Sequence, residues 1–302
     1  MRFGLSLEPQ AWPGDAGAAV LRAARDAERI GLDYVLMANH VLENPHGAGF
    51  DPVVLLAAVA GATTRLGIAT SVLVLPYYQP VVLANQLATL DVVSAGRLAV
   101  AVGTGWNPQE FAALGVPLRL RGRRTDESLA VMKALWAGTT ADLDDRFAGL
   151  RDTRTGVPPY RSGGPPVWVG GHSDAAIRRA LRFGEGWHGS GLDHEEARYV
   201  RRRIEELADG TGRDPATIEI STVGFLVPPG MPAVRPAPGR LIGGTDASTE
   251  AIVEDLGRLA DAGVSMCSLW MPIDGRLLGA ALEWLAGEIL PRVQRTSGSG
   301  PR

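Results

Sequence analysis

Arg97-Leu98-Ala99-Val100-Ala101-Val102 runs straight into Gly103-Thr104-Gly105-Trp106-Asn107-Pro108. After the arginine, five apolar residues follow one another with no polar alternation. A strand with one wet face would alternate, so both faces of this one must be covered, as in a parallel sheet flanked by helices. The glycines let the chain turn at the strand's end, and Pro108 suits the first turn of the helix that follows.

The same unit recurs in both directions. Upstream, Arg2–Leu7 precedes a helix at Ala18–Ile30, which stops at Gly31, a good C-cap. Asp33–Ala38 precedes a helix at Pro52–Ala62, and Leu66–Leu75 precedes one at Pro80–Val93. Downstream of Asn107 come a short helix at Pro108–Leu114 and a longer one at Gly122–Trp136. After a loop rich in Gly, Pro and Arg (Gly138–Pro165), Pro166–Val169 pairs with a helix at Asp174–Phe183. Gly186–Gly189 pairs with His194–Ala208, whose stripe of Ala197, Val200, Ile204 and Leu207 leaves Arg201, Arg202 and Arg203 mostly turned outward. Ile218–Val227 leads through the Pro-rich Pro228–Gly239 loop to a helix at Ala247–Ala262. Val264–Met271 is the last strand, closed by a helix at Arg276–Ile289.

Eight such units in one chain predict a single α/β (β/α)₈ TIM barrel over residues 1–290, with 291–302 expected as a disordered tail. A doubly wound sheet is the competing arrangement. The 302 residues are 45% hydrophobic and 21% charged, enough apolar material for a large core. No apolar run reaches bilayer length and Met1-Arg2-Phe3-Gly4-Leu5 does not begin like a signal peptide, so a cytoplasmic protein without membrane contact is expected. A net charge of −3 is too balanced for a nucleic-acid binder. One cysteine, Cys267, excludes an intramolecular disulfide and a four-cysteine zinc site.

In a barrel the chemistry sits where strands end, and several chemistries lack their residues there. Lys133 is the only lysine and lies mid-helix, which excludes Schiff-base and PLP chemistry. The histidines His40, His46, His172, His188 and His194 form no metal-ligand spacing, so no metal is expected. Strand four ends in Gly-Thr-Gly and strand seven in Leu-Val-Pro, neither giving the carboxylates a glycosidase barrel needs. What remains resembles a cofactor cradle. Gly103-Thr104-Gly105-Trp106-Asn107 admits close backbone approach with hydrogen bonds from Thr104 and Asn107; a tight barrel corner is the competing reading. Gly170-Gly171-His172-Ser173 opens a helix whose free N–H groups and dipole suit a phosphate, or Ser173 is an ordinary N-cap. His40 at the second strand end is a candidate proton donor or acceptor with Asn39 beside it, or else a hydrogen-bonded structural histidine. His188 is a weaker case of the same kind. Trp106, Trp12, Tyr77 and Tyr78 are candidate apolar walls or simply packing.

These residues together resemble the bacterial-luciferase-like flavin and deazaflavin oxidoreductases, especially the coenzyme F420-dependent branch. The correspondence runs from Met1 to about Leu290. It is carried by Arg2-Phe3-Gly4-Leu5, Ala27-Glu28-Arg29-Ile30-Gly31-Leu32-Asp33, Asn39-His40 and Ala62-Thr63-Thr64-Arg65-Leu66-Gly67. It continues in Gln86-Leu87-Ala88-Thr89-Leu90-Asp91, Gly96-Arg97-Leu98 and Gly103-Thr104-Gly105-Trp106-Asn107-Pro108-Gln109-Glu110-Phe111. Pro166-Val167-Trp168-Val169-Gly170-Gly171 and Gly186-Trp187 complete it. The resemblance implies a deazaflavin, coenzyme F420 (or FMN as the alternative), in the barrel mouth. Asn39 and His40 would contact ring and substrate, where many relatives have aspartate in place of Asn39. It also implies a cis peptide at Ser71-Val72 behind the ring, and cofactor contacts along Gly103–Asn107 and Gly170–Ser173. The sugar-phosphate branch carries a glutamate where Trp106 stands and grips phosphate with lysines, so an uncharged or aromatic substrate is implied. The expected activity is hydride transfer by a cytoplasmic homodimer, with the helices Val53–Ala60 and Val81–Leu90 packing across a two-fold. An FMN-dependent monooxygenase and a non-catalytic cofactor-binding relative are the alternatives.

Overall fold

Every residue of β4, Leu98–Gly103, is buried, and its two faces do different jobs. Leu98, Val100 and Val102 point outward into the core shared with the helices, while Ala99 and Ala101 point inward. The computed structural model describes residues 1–7, 15–43, 49–140 and 149–296. Its strands are β1 Arg2–Ser6, β2 Tyr34–Met37, β3 Gly67–Val74, β4, β5 Val167–Gly170, β6 Gly186–Ser190, β7 Glu219–Phe225 and β8 Val264–Trp270. All pair in parallel and in sequence order, and β1 pairs with β8, so the sheet closes into an eight-stranded barrel. A doubly wound sheet is thereby excluded. The interior is a packed plug in which small residues (Ala69, Ala99, Ala101) make room for Tyr34, Trp168 and Trp270.

The helices are α1 Ala16–Arg29, α2 Pro52–Ala62, α3 Pro80–Val93, α4 Pro108–Ala113, α5 Arg121–Ala137, α6 Asp174–Phe183, α7 His194–Ala208, α8 Thr249–Asp261, α9 Leu278–Trp284 and α10 Leu290–Thr296. Their starts follow local chemistry. Asp15 and Asp51 cap α1 and α2 through side-chain oxygens, and Asp193 with Glu196 makes a reciprocal capping box on α7.

Three expectations need correction. The last helix does not stop near residue 290: after a π turn at Leu285–Ile289, α10 continues to Thr296, and Leu290 and Val293 are buried. Residues 297–302 lie outside the described residues. Strand seven ends at Phe225 rather than Val227. Of Arg201, Arg202 and Arg203 on α7, only Arg202 is exposed. Arg201 donates to the carbonyls of Pro215 (3.0 Å) and Ile218 (2.9 Å), and Arg203 pairs with Asp174 on α6.

The irregularity that shapes the site is in β3. Thr70 pairs with Val100 and Leu73 with Val102, so β3 holds one residue more than β4 over that step. The bulge contains Ser71 and Val72, joined by a cis peptide bond where the resemblance puts one.

Candidate active site

The C-terminal strand ends surround a cavity of about 550 Å³. Asn39 and His40, just past β2, and Ser71 and Val72 of β3 line it. The turn after β4 contributes Gly103, Thr104, Gly105 and Trp106, and the turn after β5 contributes Gly170, Gly171 and His172. Two expected site residues do not reach it. Asn107 is buried and caps α4, its side-chain oxygen accepting from Gln109 N–H at 3.0 Å. Ser173 caps α6, accepting from Ala176 N–H at 3.3 Å. A short polar side chain one residue before a helix meets the helix's own free N–H groups first, and here that local bond wins.

Gly103 and Gly170 have a packing reason that their sequence context did not show. A Cβ on Gly103 would fall 2.6 Å from one methyl of Val72, and a Cβ on Gly170 would fall 2.7 Å from the other. The bulge thus drives the Val72 isopropyl group between the ends of β4 and β5, forming an apolar wedge in the cavity wall.

Asn39 is 3% exposed, and its side-chain oxygen accepts from Val74 N–H at 3.0 Å. That bond fixes the amide's orientation and leaves Nδ2 buried beside the Tyr78 hydroxyl, without a hydrogen bond of good geometry among the described residues. A buried donor with so weak a partner is costly, and the Asn39 side chain borders the cavity.

Behind His40 stands a residue the sequence reading quoted but gave no role. Nδ1 of His40 lies 3.2 and 3.3 Å from the two carboxylate oxygens of Glu110 on α4. Glu110 is 1% exposed and accepts from Val41 N–H (2.7 Å), Leu42 N–H (3.2 Å) and the Tyr77 hydroxyl (2.9 Å). Burial alone would raise its pKa, but the bonds from Leu42, Tyr77 and Val41, with His40 nearby, hold it below the usual carboxylate value. Burial and that carboxylate push the Tyr77 hydroxyl the other way, upward, so it stays a donor. An ionised carboxylate only accepts, so Nδ1 carries a proton and Nε2 is the nitrogen left to exchange one. The contact joins residues 70 apart in sequence, which no local spacing rule can detect.

The walls also differ from expectation. Tyr77 is spent on Glu110 and Tyr78 on Asp51, at 3.4 Å, and neither lines the cavity. Trp12 lies outside the described residues. Trp106 does stand at the mouth, 59% exposed and edge-on to His40 at 6.0 Å between ring centres. Two unanticipated aromatics complete the opposite wall: Phe225 ends β7 and Trp270 ends β8, packed edge to face at 5.4 Å. The loop between β7 and α8 crosses their ends, pinned by Val234 N–H to the Pro272 carbonyl (2.7 Å) and Ile242 N–H to the Phe225 carbonyl (2.8 Å). Arg235 on that loop covers the Trp270 ring at 4.7 Å.

On the floor, His188 is 8% exposed. Its Nε2 is 2.9 Å from Ser71 Oγ and its Nδ1 is 2.8 Å from Ser221 Oγ. Burial lowers its pKa from 6.5 to about 4, so the ring is neutral at neutral pH. Among the described residues no group of three His, Cys, Asp or Glu side chains is placed to hold a metal ion, and no helix is long and apolar enough to cross a membrane.

Comparison with known proteins places this geometry. A family model described as luciferase-like monooxygenase matches residues 1–228. The chain belongs to the luciferase-like monooxygenase family. An uncharacterised protein of Mycobacterium tuberculosis is 35% identical over 176 residues, 58% of this chain and 60% of that protein. An F420-dependent glucose-6-phosphate dehydrogenase of Beutenbergia cavernae is 32% identical over 202 residues, 64% of this chain and 58% of that enzyme. An FMNH₂-dependent dimethylsulfone monooxygenase of Pseudomonas putida is 27% identical over 214 residues, 68% of this chain and 57% of that enzyme. The chain thus spans about three fifths of the length of the curated relatives it matches. Among solved structures, an F420-dependent secondary alcohol dehydrogenase in complex with an F420-acetone adduct aligns with a TM-score of 0.79 at 19% identity, over 97% of this chain and 98% of that one. The family therefore includes both deazaflavin and flavin enzymes, on one barrel.

Proposed function

We propose that the protein is a coenzyme F420-dependent oxidoreductase that exchanges a hydride between the deazaflavin and a small uncharged or aromatic substrate. The observation that carries this reading is the cavity wall itself. There the Asn39 side chain, the Val72 wedge and the Glu110-backed His40 border one space of about 550 Å³. Such a volume, mostly apolar with a few fixed polar groups, suits a ring cofactor together with a small substrate. A bound deazaflavin supplies two-electron hydride chemistry and reacts poorly with oxygen.

The chain's own groups would do the rest. Asn39 borders the ring edge, and Val72 offers an apolar surface to one ring face. The Gly170–Ser173 turn and the first N–H groups of α6 hold the phosphate, with the Ser173 hydroxyl kept as a cap. His40, oriented through Nδ1 by Glu110, moves a proton at Nε2 to or from the substrate. Trp106, Phe225 and Trp270 exclude water from the substrate side. Lys133 bonds Glu185 on the barrel's flank at 2.8 Å, and Trp106 stands where the sugar-phosphate branch has glutamate. Both points favour a substrate without phosphate. The relative that uses FMNH₂ supports a second reading, an FMN-dependent monooxygenase. Anaerobic hydride exchange with reduced F420, set against oxygen uptake with reduced FMN, separates the two.

A homodimer belongs to the same proposal. Val54 on α2 (72% exposed) and Val82 on α3 (56% exposed) leave apolar surface on adjacent helices. At micromolar concentration the mass in solution should be that of a dimer, and Val82→Asp should shift it toward the monomer. A wild-type monomer would reject the assembly.

A further inference from the structure

Both ring nitrogens of His188 have a hydroxyl partner, and the direction of those bonds can be assigned from the far end. Ser221 is 3% exposed, and its hydroxyl lies 3.3 Å from the Trp187 carbonyl oxygen, which can only accept. With its hydrogen placed there, Ser221 Oγ accepts from His188 Nδ1–H at 2.8 Å, the tautomer assigned here. A neutral imidazole with its proton on Nδ1 carries a lone pair on Nε2, which accepts from the Ser71 hydroxyl at 2.9 Å. Ser71 has then donated its one hydrogen, and it sits half-buried in the cavity wall.

We propose that Ser71, His188 and Ser221 form a one-way relay, anchored at the Trp187 carbonyl, that presents Ser71 Oγ to the cavity only as a hydrogen-bond acceptor. The relay selects a ligand that turns an N–H or O–H toward the floor, and disfavours one that turns a lone pair there. The imide N–H shared by flavin and deazaflavin rings is a group of the accepted kind. This assignment of the ring's donor edge rests on the cofactor reading above; the relay itself does not. His188 and Ser221 are positioning residues, acting through Ser71, and His188 is suited to this because burial keeps it uncharged.

The test needs no cofactor in its first arm. In ¹⁵N-labelled protein at neutral pH, the His188 ring should show the neutral form with hydrogen on Nδ1. A ring protonated on Nε2 alone, or on both nitrogens, would overturn the relay even if F420 binds well. In the second arm, Ser221→Ala removes the acceptor from Nδ1–H. The ring should shift toward the Nε2–H form, and F420 affinity should fall about tenfold, the equivalent of one hydrogen bond. Unchanged affinity in that variant, with wild type binding F420, would refute the proposed selection. Failure of wild type to bind F420 would count against the cofactor reading and leave the first arm to decide the relay.

Discussion

His40→Ala should turn over at least about a hundredfold more slowly than wild type, the lower range for loss of a positioned acid or base. The loss should appear in kcat, with F420 affinity changed little, because Asn39 and Val72 hold the ring in this account and His40 serves the proton. Glu110 gives a second handle. Glu110→Gln keeps the shape and the bonds from Val41 and Leu42 as far as one oxygen allows, but replaces a charged acceptor with a neutral one. His40 would then be less firmly held in its Nδ1–H form, and turnover should fall to a level between wild type and His40→Ala. Thermal unfolding of each variant separates this from simple loss of fold. The carboxylate keeps three donors when His40 is removed: Val41 N–H, Leu42 N–H and the Tyr77 hydroxyl. Full turnover in His40→Ala would remove the residue from the mechanism.

The second large effect is on stability in acid. Burial lowers the His188 pKa to about 4, while an exposed histidine in the unfolded chain titrates near 6.5. Between those values the unfolded chain binds a proton that the native protein refuses, so stability rises with pH across the window. The contribution is complete above about pH 6.5 and lost as pH falls to about 4. At 1.36 kcal/mol per pKa unit, the gap between the two values corresponds to about 3 kcal/mol. Chemical denaturation at pH 7 and near pH 4 should show His188→Gln losing less stability on acidification than wild type, by an amount of that order. Parallel pH profiles for the two proteins would contradict the burial argument.

The barrel was legible because its strands carry a physical signature. A strand covered on both faces is mostly apolar, as β4 and β5 are, and most of the strands are followed by a helix that starts at a capping side chain. The element boundaries were less legible where apolar residues continue past a strand. Leu226 is fully buried yet lies beyond the end of β7, so hydropathy alone carried that strand too far. The candidate site was legible to the extent that it sits at strand ends: Asn39, His40 and the two glycine turns were found by position, while Ser71 and Val72 came from the family resemblance. What local sequence could not show was contact at long range. Glu110 reaches His40, and His188 reaches Ser71 across 117 positions, only after the barrel closes. The glycines were identified for one reason and retained for another: Gly103 and Gly170 yield space to Val72, which a bulge, not a motif, brings there. Asn107 and Ser173 went the opposite way, because capping a helix one residue ahead is a stronger local demand than reaching a cavity.

One measurement bears most directly on the proposed activity. Reduced F420 carrying deuterium at ring C5 is mixed anaerobically with the protein and a panel of small ketones, aldehydes, quinones and activated aromatics. The account predicts that oxidised deazaflavin accumulates without oxygen, and that deuterium appears on carbon or as exchangeable label in the reduced product, according to the acceptor. Failure of every acceptor, together with tight binding of reduced FMN and oxygen consumption, would contradict it and make the protein a flavin monooxygenase.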